Sequence, residues 1–341
     1  MDLNTLWFVL VGVLFTGYAM LDGFDLGVGA LLLFEKGDQE RRIFLNAIGP
    51  IWDGNEVWLV TGGGALFAAF PNVYATVFSG FYDAFMLLLV ALIFRAVAIE
   101  FRSQRPGSTW RTTWDIAFSF ASLASALLVG IALGNIVWGI PLDENRDFSG
   151  GLLALLHPYP VLVGIVAVSL FVMHANLYLV LKTDGALQEK VARWTRITVP
   201  AYLGFFLILS AVTVFACPHI KAAVSQRPLI LGTIFLVSLI VTFNIPRQVR
   251  KGVGHEGRAF LSSCLSLGTL MLLFGVSVYP TMVFSTPNLG DSLDIYNGSS
   301  TEKSLRFMAW VALIGIPIVL AYTGTIYYVF RGKVTLTGRS Y

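Results

Sequence analysis

The chain has 341 residues, of which 56% are hydrophobic and only 13% are charged, and its mean hydropathy is +0.74. Soluble domains carry roughly 25% charged residues, so this composition excludes an ordinary soluble domain and indicates a protein embedded in a membrane. The formal net charge is only +3, and the basic residues lie in short connections between apolar segments, which indicates contact with anionic lipid rather than with nucleic acid.

Apolar segments long enough to cross a bilayer recur along the whole chain. A helix needs about 20 apolar residues to cross the hydrocarbon core. We predict an all-α polytopic protein of the cell membrane with nine transmembrane helices, at 6–34, 51–70, 73–101, 113–140, 158–182, 196–217, 227–246, 259–284 and 306–330. The first helix follows MDLNT, which has no basic residue and leads to no small-residue cleavage site, so we expect no removed signal peptide.

Lysine and arginine are distributed unevenly between the connections. Of the 23, seventeen lie in connections 1–2, 3–4, 5–6 and 7–8 or in the C-terminal tail, and five lie in the other connections. Because basic residues are retained in the cytoplasm, we predict an outside N-terminus and a cytoplasmic C-terminus. The cytoplasmic set includes Lys36, Arg41, Arg42, Arg102, Arg105, Arg111, Lys190, Arg193, Arg250 and Lys251.

The two halves of the chain share short motifs that indicate a duplication. The stretch 9-VLVG-12 recurs as 161-VLVG-164. Both halves would begin outside, so we predict a parallel pseudo-repeat of two four-helix bundles with one extra C-terminal helix. The predicted units are a first bundle at 1–140, an outer loop at 141–157, a second bundle at 158–284, and a final unit at 285–341 with an outer loop, the ninth helix and the tail.

Acidic residues inside the predicted helices are confined to the first half. The first four helices contain seven carboxylates and Arg95, whereas the last five contain no acidic residue. In the repeat, Asp22 corresponds to His174, and Arg95 lies opposite Asn244. A charge at membrane depth costs several kcal/mol and usually faces a protein interior or a water file, so we expect the chemistry to belong to the first half.

Two aspartates lie near the middle of the first helix, in 18-YAMLDGFDLGVGA-30. A spacing of three residues places Asp22 and Asp25 on one face of the helix. Gly23 and Gly27 have the spacing that lets another helix approach closely. Because a mid-helix position cannot be a helix cap, we favour a proton relay over a purely structural role for the two aspartates.

In the second helix, 52-WDGNEVW-58 puts Asp53 and Glu56 at the cytoplasmic mouth, although Asp53 could instead cap that helix. Asp83 falls near mid-depth in the third helix, and Glu100 lies near its cytoplasmic end. Their depth alone indicates that these carboxylates continue a proton pathway from the cytoplasm to the middle of the membrane.

Two further charged residues are expected to form ion pairs. Arg95, in the third helix, would keep ionised whichever carboxylate it pairs with. Asp115 lies just inside the start of the fourth helix, where we expect a structural role.

Residues that could hold a redox centre are sparse. Of the four histidines, only His174 is deep in a predicted helix, and a lone deep histidine is typical of core packing. Cys217 and Cys264 lie at a membrane edge and inside a helix, which indicates no disulfide framework. We find no metal-ligand cluster, nucleotide loop or nucleophile triad. The sequence therefore predicts neither a metal site nor a catalytic residue in this chain.

The stretches LDGFDLGVG, WDGNEVWL, GGALFAAFP and FSGFY, together with AYT and YYVFRGKV near the C-terminus, are spread along the chain from residue 21 to residue 334. In this combination they resemble subunit II of the cytochrome bd-type quinol oxidases. The resemblance implies a subunit of a complex that oxidises membrane quinol and reduces dioxygen to water. It assigns Asp53 to a proton pathway, matches Asp22 and Asp25 to the acidic pair of a D-G-F-D motif, and matches Arg95 to the arginine of an F-R motif.

The same resemblance implies where the cofactors and partners lie. Haem b and haem d would be held by subunit I, a similar nine-helix protein that forms a pseudosymmetric heterodimer with this chain. Some members of the family hold a quinone as a structural ligand in subunit II, and the resemblance leaves open both that quinone and a small single-helix accessory subunit. The resemblance also implies that the chain contacts membrane lipids and that the complex uses the quinol pool.

Two other functions are compatible with buried carboxylates. A proton-coupled secondary transporter would also need them, although transporters usually show inverted repeats and broken helices. A purely structural subunit would use its buried charges only to lock assembly.

Overall fold

The chain forms twelve α-helices and one two-stranded antiparallel sheet within residues 2–250, 252 and 254–336, which are the residues that a computed structural model describes. Lys251 and the tail residues 337–341 lie outside the described residues. The helices are α1 (Leu3–Leu32), α2 (Asp38–Ile48), α3 (Trp52–Ala69), α4 (Pro71–Gly80), α5 (Tyr82–Arg102), α6 (Ser108–Trp138), α7 (Pro158–Lys182), α8 (Gly185–Ala216), α9 (Pro218–Gln226), α10 (Pro228–Arg250), α11 (Glu256–Val278) and α12 (Glu302–Val329). The strands β1 (Thr281–Val283) and β2 (Leu293–Asp294) and two 3-10 turns, Leu152–Leu155 and Leu289–Asp291, lie in the long connections.

Within the described residues, eight helices are long and apolar enough to cross a membrane, namely α1, α5, α6, α7, α8, α10, α11 and α12. They correspond to eight of the nine predicted helices, so the prediction of an all-α polytopic membrane protein is confirmed. The remaining predicted helix, 51–70, forms α3. It has 18 residues but is less apolar, because Asp53, Asn55 and Glu56 occupy its first two turns.

Contacts between the connections define two ends of the bundle. At one end, called the α2 end below, the contacts are Glu35–Lys190, Arg102–Asp38 and Lys182–Phe330. At the opposite end they are Asn4–Ile295, Ala69–Ser300 and Arg227–Tyr279. Helix α3 therefore begins at the α2 end and ends at the opposite end.

The predicted third helix, 73–101, is not one continuous element. It consists of α4 and α5, which meet at Phe81. The Phe81 N–H still donates to the Val77 carbonyl (2.9 Å), and the Phe85 N–H donates to the Phe81 carbonyl (2.8 Å). These bonds indicate a bend rather than a reversal. Stacked rings of Phe78 and Phe85, with centroids 4.3 Å apart, bridge the bend.

Several predicted boundaries also differ from the structure. Helix α8 begins at Gly185 rather than at 196, because the polar segment before the apolar run is also helical. Helix α11 ends at Val278 rather than at 284, because β1 follows it. Helices α2 and α9 lie in connections for which no helix is predicted.

Helix α1 lies at the centre and packs against α3, α6 and α7. A Cβ atom at Gly23 would lie 2.8 Å from the ring of Phe171 in α7, and one at Gly27 would overlap the Phe171 carbonyl oxygen and the Ala175 side chain. The predicted close approach of another helix at this glycine pair is confirmed. The approach fixes the rotation of α1 and thereby the face that carries its aspartates.

Replacement of Gly27 by alanine is expected to destabilise the protein by about 1–3 kcal/mol, because the added methyl group must push α7 away from α1. Gly12, on the same helix, is the matched control, since a Cβ atom there meets nothing within 4 Å. Thermal unfolding of the detergent-purified protein measures the difference. Equal melting temperatures for Gly27→Ala and Gly12→Ala would contradict the importance of this contact.

Candidate functional site

Arg95 of α5 is the centre of a buried ion-pair cluster. Its guanidinium group donates to Oδ1 of Asp22 at 2.6 Å and to Oε2 of Glu56 at 2.8 Å. Arg95 and Asp22 are fully buried, whereas 24% of the Glu56 side chain is exposed. The cluster joins α1, α3 and α5. The expectation that Arg95 pairs with a carboxylate is confirmed, and the structure gives it two.

Asp25 lies one turn along α1 from Asp22 and has a different partner. The side-chain amide of Asn55 donates to Oδ2 of Asp25 at 2.8 Å, and the hydroxyl group of Tyr327 in α12 donates to Oδ1 of Asn55 at 2.9 Å. In the part of the chain that the structure describes, no ion pair involves Asp25. The two aspartates of α1 therefore differ: a cation holds one, and a neutral amide holds the other.

Asp53 lies in the first turn of α3 and is exposed. The N-cap residue of α3 is Ile51 and makes no side-chain capping bond, so the alternative that Asp53 caps this helix is wrong. Glu56 follows three residues later on the same face. Exposure falls from Asp53 through Glu56 to Asp22. These three carboxylates form a series that leads from the surface of the chain into its interior.

Asp83 and Glu100 lie on α5 but outside this cluster. Asp83 is exposed in the first turn of α5, and its distance from Arg95 along the helix axis is about 18 Å. Glu100 is exposed near the other end of the same helix. The structure thus brings together Asp22, Asp25, Glu56 and Arg95, while a proton-pathway role for Asp83 and Glu100 stays a prediction.

Asp115 belongs to a second ion-pair cluster, at the α2 end. Its two oxygens accept from Arg102 at 2.5 Å and from Arg41 at 3.0 Å. Asp38 accepts from both Arg102 and Arg111 at 2.8 Å. Since Asp115 is buried between two arginines, its predicted structural role is confirmed.

His174 of α7 is fully buried between α1 and α11. Its Nδ1 lies 2.7 Å from the hydroxyl oxygen of Ser263, its Nε2 lies 2.9 Å from the carbonyl oxygen of Met20, and its ring stacks on Phe260. Both ring nitrogens are engaged, so these residues do not fit axial ligation of a haem, and the predicted packing role is confirmed. No three histidine, cysteine, aspartate or glutamate residues within 2–250, 252 and 254–336 are grouped to hold a metal ion.

Two sets of polar residues near this site had no predicted role. Tyr327 lies within a C-terminal motif, but no spacing connects it with Asn55, which is 272 residues away in the chain. Ser119, Ser122 and Ser125 of α6 are all buried. Their spacing of three in an otherwise apolar helix is a visible signal that they share one face.

Comparison with known proteins identifies the family. Residues 3–330 match the model of the family described as cytochrome bd terminal oxidase subunit II. The chain is 33% identical to the cytochrome bd-I ubiquinol oxidase subunit 2 of Escherichia coli (strain K12), with 98% of this chain and 95% of that protein covered. It is 34% identical to the cytochrome bd ubiquinol oxidase subunit 2 of Bacillus subtilis (strain 168), with 98% and 97% covered.

The fold agrees with this family. The bd oxidase from Geobacillus thermodenitrificans contains a similar chain, with a TM-score of 0.81 and 17% sequence identity, covering 97% of this chain and 99% of that one. The resemblance inferred from the motifs is therefore confirmed. This chain belongs to the cytochrome bd terminal oxidase subunit II family.

Proposed function

We propose that this chain is the non-haem subunit of a bd-type terminal oxidase, in which quinol oxidation is coupled to reduction of dioxygen to water. Family membership and the names of the relatives from Escherichia coli and Bacillus subtilis support this function. The same membership argues against a proton-coupled transporter. In the complex, the chain braces the haem-bearing subunit I and supplies part of a cytoplasmic proton pathway.

The proposed topology has nine crossings, with the α2 end in the cytoplasm. Helix α3 counts as a crossing because its ends contact opposite ends of the bundle. The excess of lysine and arginine at the α2 end supports its cytoplasmic position. The units 1–140 and 158–284 are then the two parallel bundles, and 285–341 adds the ninth crossing.

A wide apolar surface supports the bracing role. Of α12, which is described in full, only Leu305 is buried within the chain, and Trp310, Leu313 and Ile314 are each more than 60% exposed. On α3, Val57 and Val60 are also exposed. Such a surface needs an apolar covering, which subunit I and lipid would supply.

The proton pathway rests on one observation: Arg95 holds Asp22 and Glu56, whereas Asp25 is held by a neutral amide. A bonded guanidinium group favours the ionised form of a carboxylate, and Asp25 has no such partner among the described residues. Asp25 is therefore the group that accepts and releases protons. Asp53, exposed at the start of α3, collects them from the cytoplasm. When bound in subunit I, the haems supply the oxygen chemistry, and this chain only holds and moves protons.

Replacement of Asp53 by asparagine is expected to lower oxygen consumption roughly tenfold, less than the about 100-fold effect of a buried proton-transfer group, because Asp53 is an exposed entry group and not the buried group that exchanges the proton. Asp184→Asn is the matched control, since Asp184 is an exposed carboxylate at the α2 end. The measurement is quinol-driven oxygen consumption of the purified complex, with haem content as the test of assembly. Full turnover in a fully assembled Asp53→Asn complex would refute the role of Asp53.

A further inference from the structure

A row of three buried hydroxyl groups runs along α6. Ser119, Ser122 and Ser125 have relative exposures of 1%, 0% and 0%. A serine in a helix commonly donates to a carbonyl of the preceding turn, as the half-buried Ser169 and Ser210 do here. None of the three hydroxyls on α6 has a hydrogen-bond partner among the described residues. These hydroxyls are thus available to a polar ligand inside the bundle.

The position of this row follows from the packing of α6 against α1. A Cβ atom at Gly29 would overlap the side chain of Ser122, so these two residues are in contact. The helices run in opposite directions, because α1 ends and α6 begins at the α2 end. One turn farther from the α2 end, Ser125 is level with Asp25, which shares a helix face with Gly29.

Residues near both ends of the row carry buried polar atoms without a hydrogen-bond partner among the described residues. At the inner end, Oδ1 of Asp25 is buried and has no hydrogen-bond partner among the described residues. At the α2 end, Ser119 lies one turn from Asp115, whose partner Arg102 has a buried Nη1 that is also unpartnered. Buried polar groups nearly always bond to protein or to ordered water, and a buried water molecule needs two to four polar partners. The three serine hydroxyls, the Asp25 oxygen and the Arg102 nitrogen are five groups that can supply such partners.

We propose that Ser119, Ser122 and Ser125 hold a file of water molecules between α1 and α6, which forms a second cytoplasmic proton inlet to Asp25 beside the inlet at Asp53. Each hydroxyl accepts a hydrogen bond from one water molecule and donates to the next. A proton that enters at the Arg102–Asp115 end releases one at the Asp25 end, and each serine stays neutral because its hydroxyl gains one proton as it passes on another. The proposal rests on Asp25 as the proton-exchanging carboxyl of the proposed function.

Two parallel inlets give a distinctive pattern of rates. The roughly one tenth of turnover expected to remain in Asp53→Asn would be carried by the file. Removal of the hydroxyls alone, in Ser122→Ala with Ser125→Ala, is therefore expected to leave most of the turnover. The same two changes in the Asp53→Asn background are expected to lower the residual rate by another factor of about ten, a non-additive result that marks coupled sites. Ser210→Ala is the matched control, since its hydroxyl bonds to its own helix.

Quinol-driven oxygen consumption of the purified two-subunit oxidase measures these rates, and haem content reports assembly. A triple variant that consumes oxygen as fast as Asp53→Asn overturns the file. Should that variant assemble poorly, Ser125→Ala and Ser125→Thr are compared singly in the Asp53→Asn background. Threonine keeps the hydroxyl and is expected to keep the residual rate, whereas equal rates for alanine and threonine overturn the file. Full turnover in Asp25→Asn would instead overturn the proposed function itself.

Discussion

Replacement of Arg95 by alanine is expected to prevent stable assembly of the protein. Asp22 and Glu56 both depend on its guanidinium group for charge neutralisation. Removal of one partner from a buried ion pair costs about 3–5 kcal/mol, because the remaining charge is left in a poorly polarisable interior. Here one change leaves buried Asp22 with that penalty and partly exposed Glu56 with a smaller one. We expect little mature protein in the membrane and a strongly lowered melting temperature for what is recovered.

The matched control for Arg95 is Arg306, which forms an exposed pair with Glu302 at 2.5 Å. Exposed pairs contribute at most about 1 kcal/mol, so Arg306→Ala should behave as the unaltered protein. Addition of Asp22→Asn to Arg95→Ala removes one of the two uncompensated charges and is expected to recover part of the lost stability. If Arg95→Ala and Arg306→Ala have the same yield and melting temperature, the cluster does not stabilise the fold.

Replacement of Asp25 by asparagine is expected to abolish turnover while leaving the complex assembled. Asparagine has nearly the same shape, and its amide oxygen can still accept from Asn55, so the local contacts persist. It cannot exchange a proton, and a positioned proton-transfer group contributes at least about 100-fold to rate. Oxygen consumption per haem in the purified complex is the measurement.

Two variants make the Asp25 result specific. Asp184→Asn changes an exposed carboxylate to the amide and should leave the rate unchanged. Asp25→Glu keeps an ionisable group and should retain a measurable part of the turnover. An Asp25→Asn complex with normal haem content and undiminished oxygen consumption would exclude Asp25 from the proton pathway.

The sequence could predict those features that the bilayer or the helix period imposes. Membrane thickness sets a minimum apolar length, which made the spanning segments visible. The glycine spacing of 23 and 27 anticipated the contact with Phe171, because small residues on one face let a second helix approach. The three-residue spacing likewise placed Asp22 and Asp25 on one face. These are local properties, and a single segment contains all the information that they need.

The parts that were not predicted depend on which helices are neighbours. The charge of Arg95 required a carboxylate, but only packing decides that Asp22 and Glu56 are within reach while Asp25 is held by Asn55. The bend at Phe81 was not predicted because the prediction used apolar length, although the pair Ser79 and Gly80 just before it is a common site of helix kinks. Residue counting assigned Asp83 a depth but not the direction in which its side chain faces, so its exposed position was not predicted.

The bond from Tyr327 to Asn55 links the last helix of the chain to residues near its beginning. Since Asn55 in turn holds Asp25, the surroundings of that carboxyl are incomplete until residue 327 has been synthesised and inserted. A chain whose synthesis stops before α12 therefore lacks the Tyr327 hydroxyl group that bonds to Asn55. The surroundings of Asp25 are therefore completed only when α12 is in place.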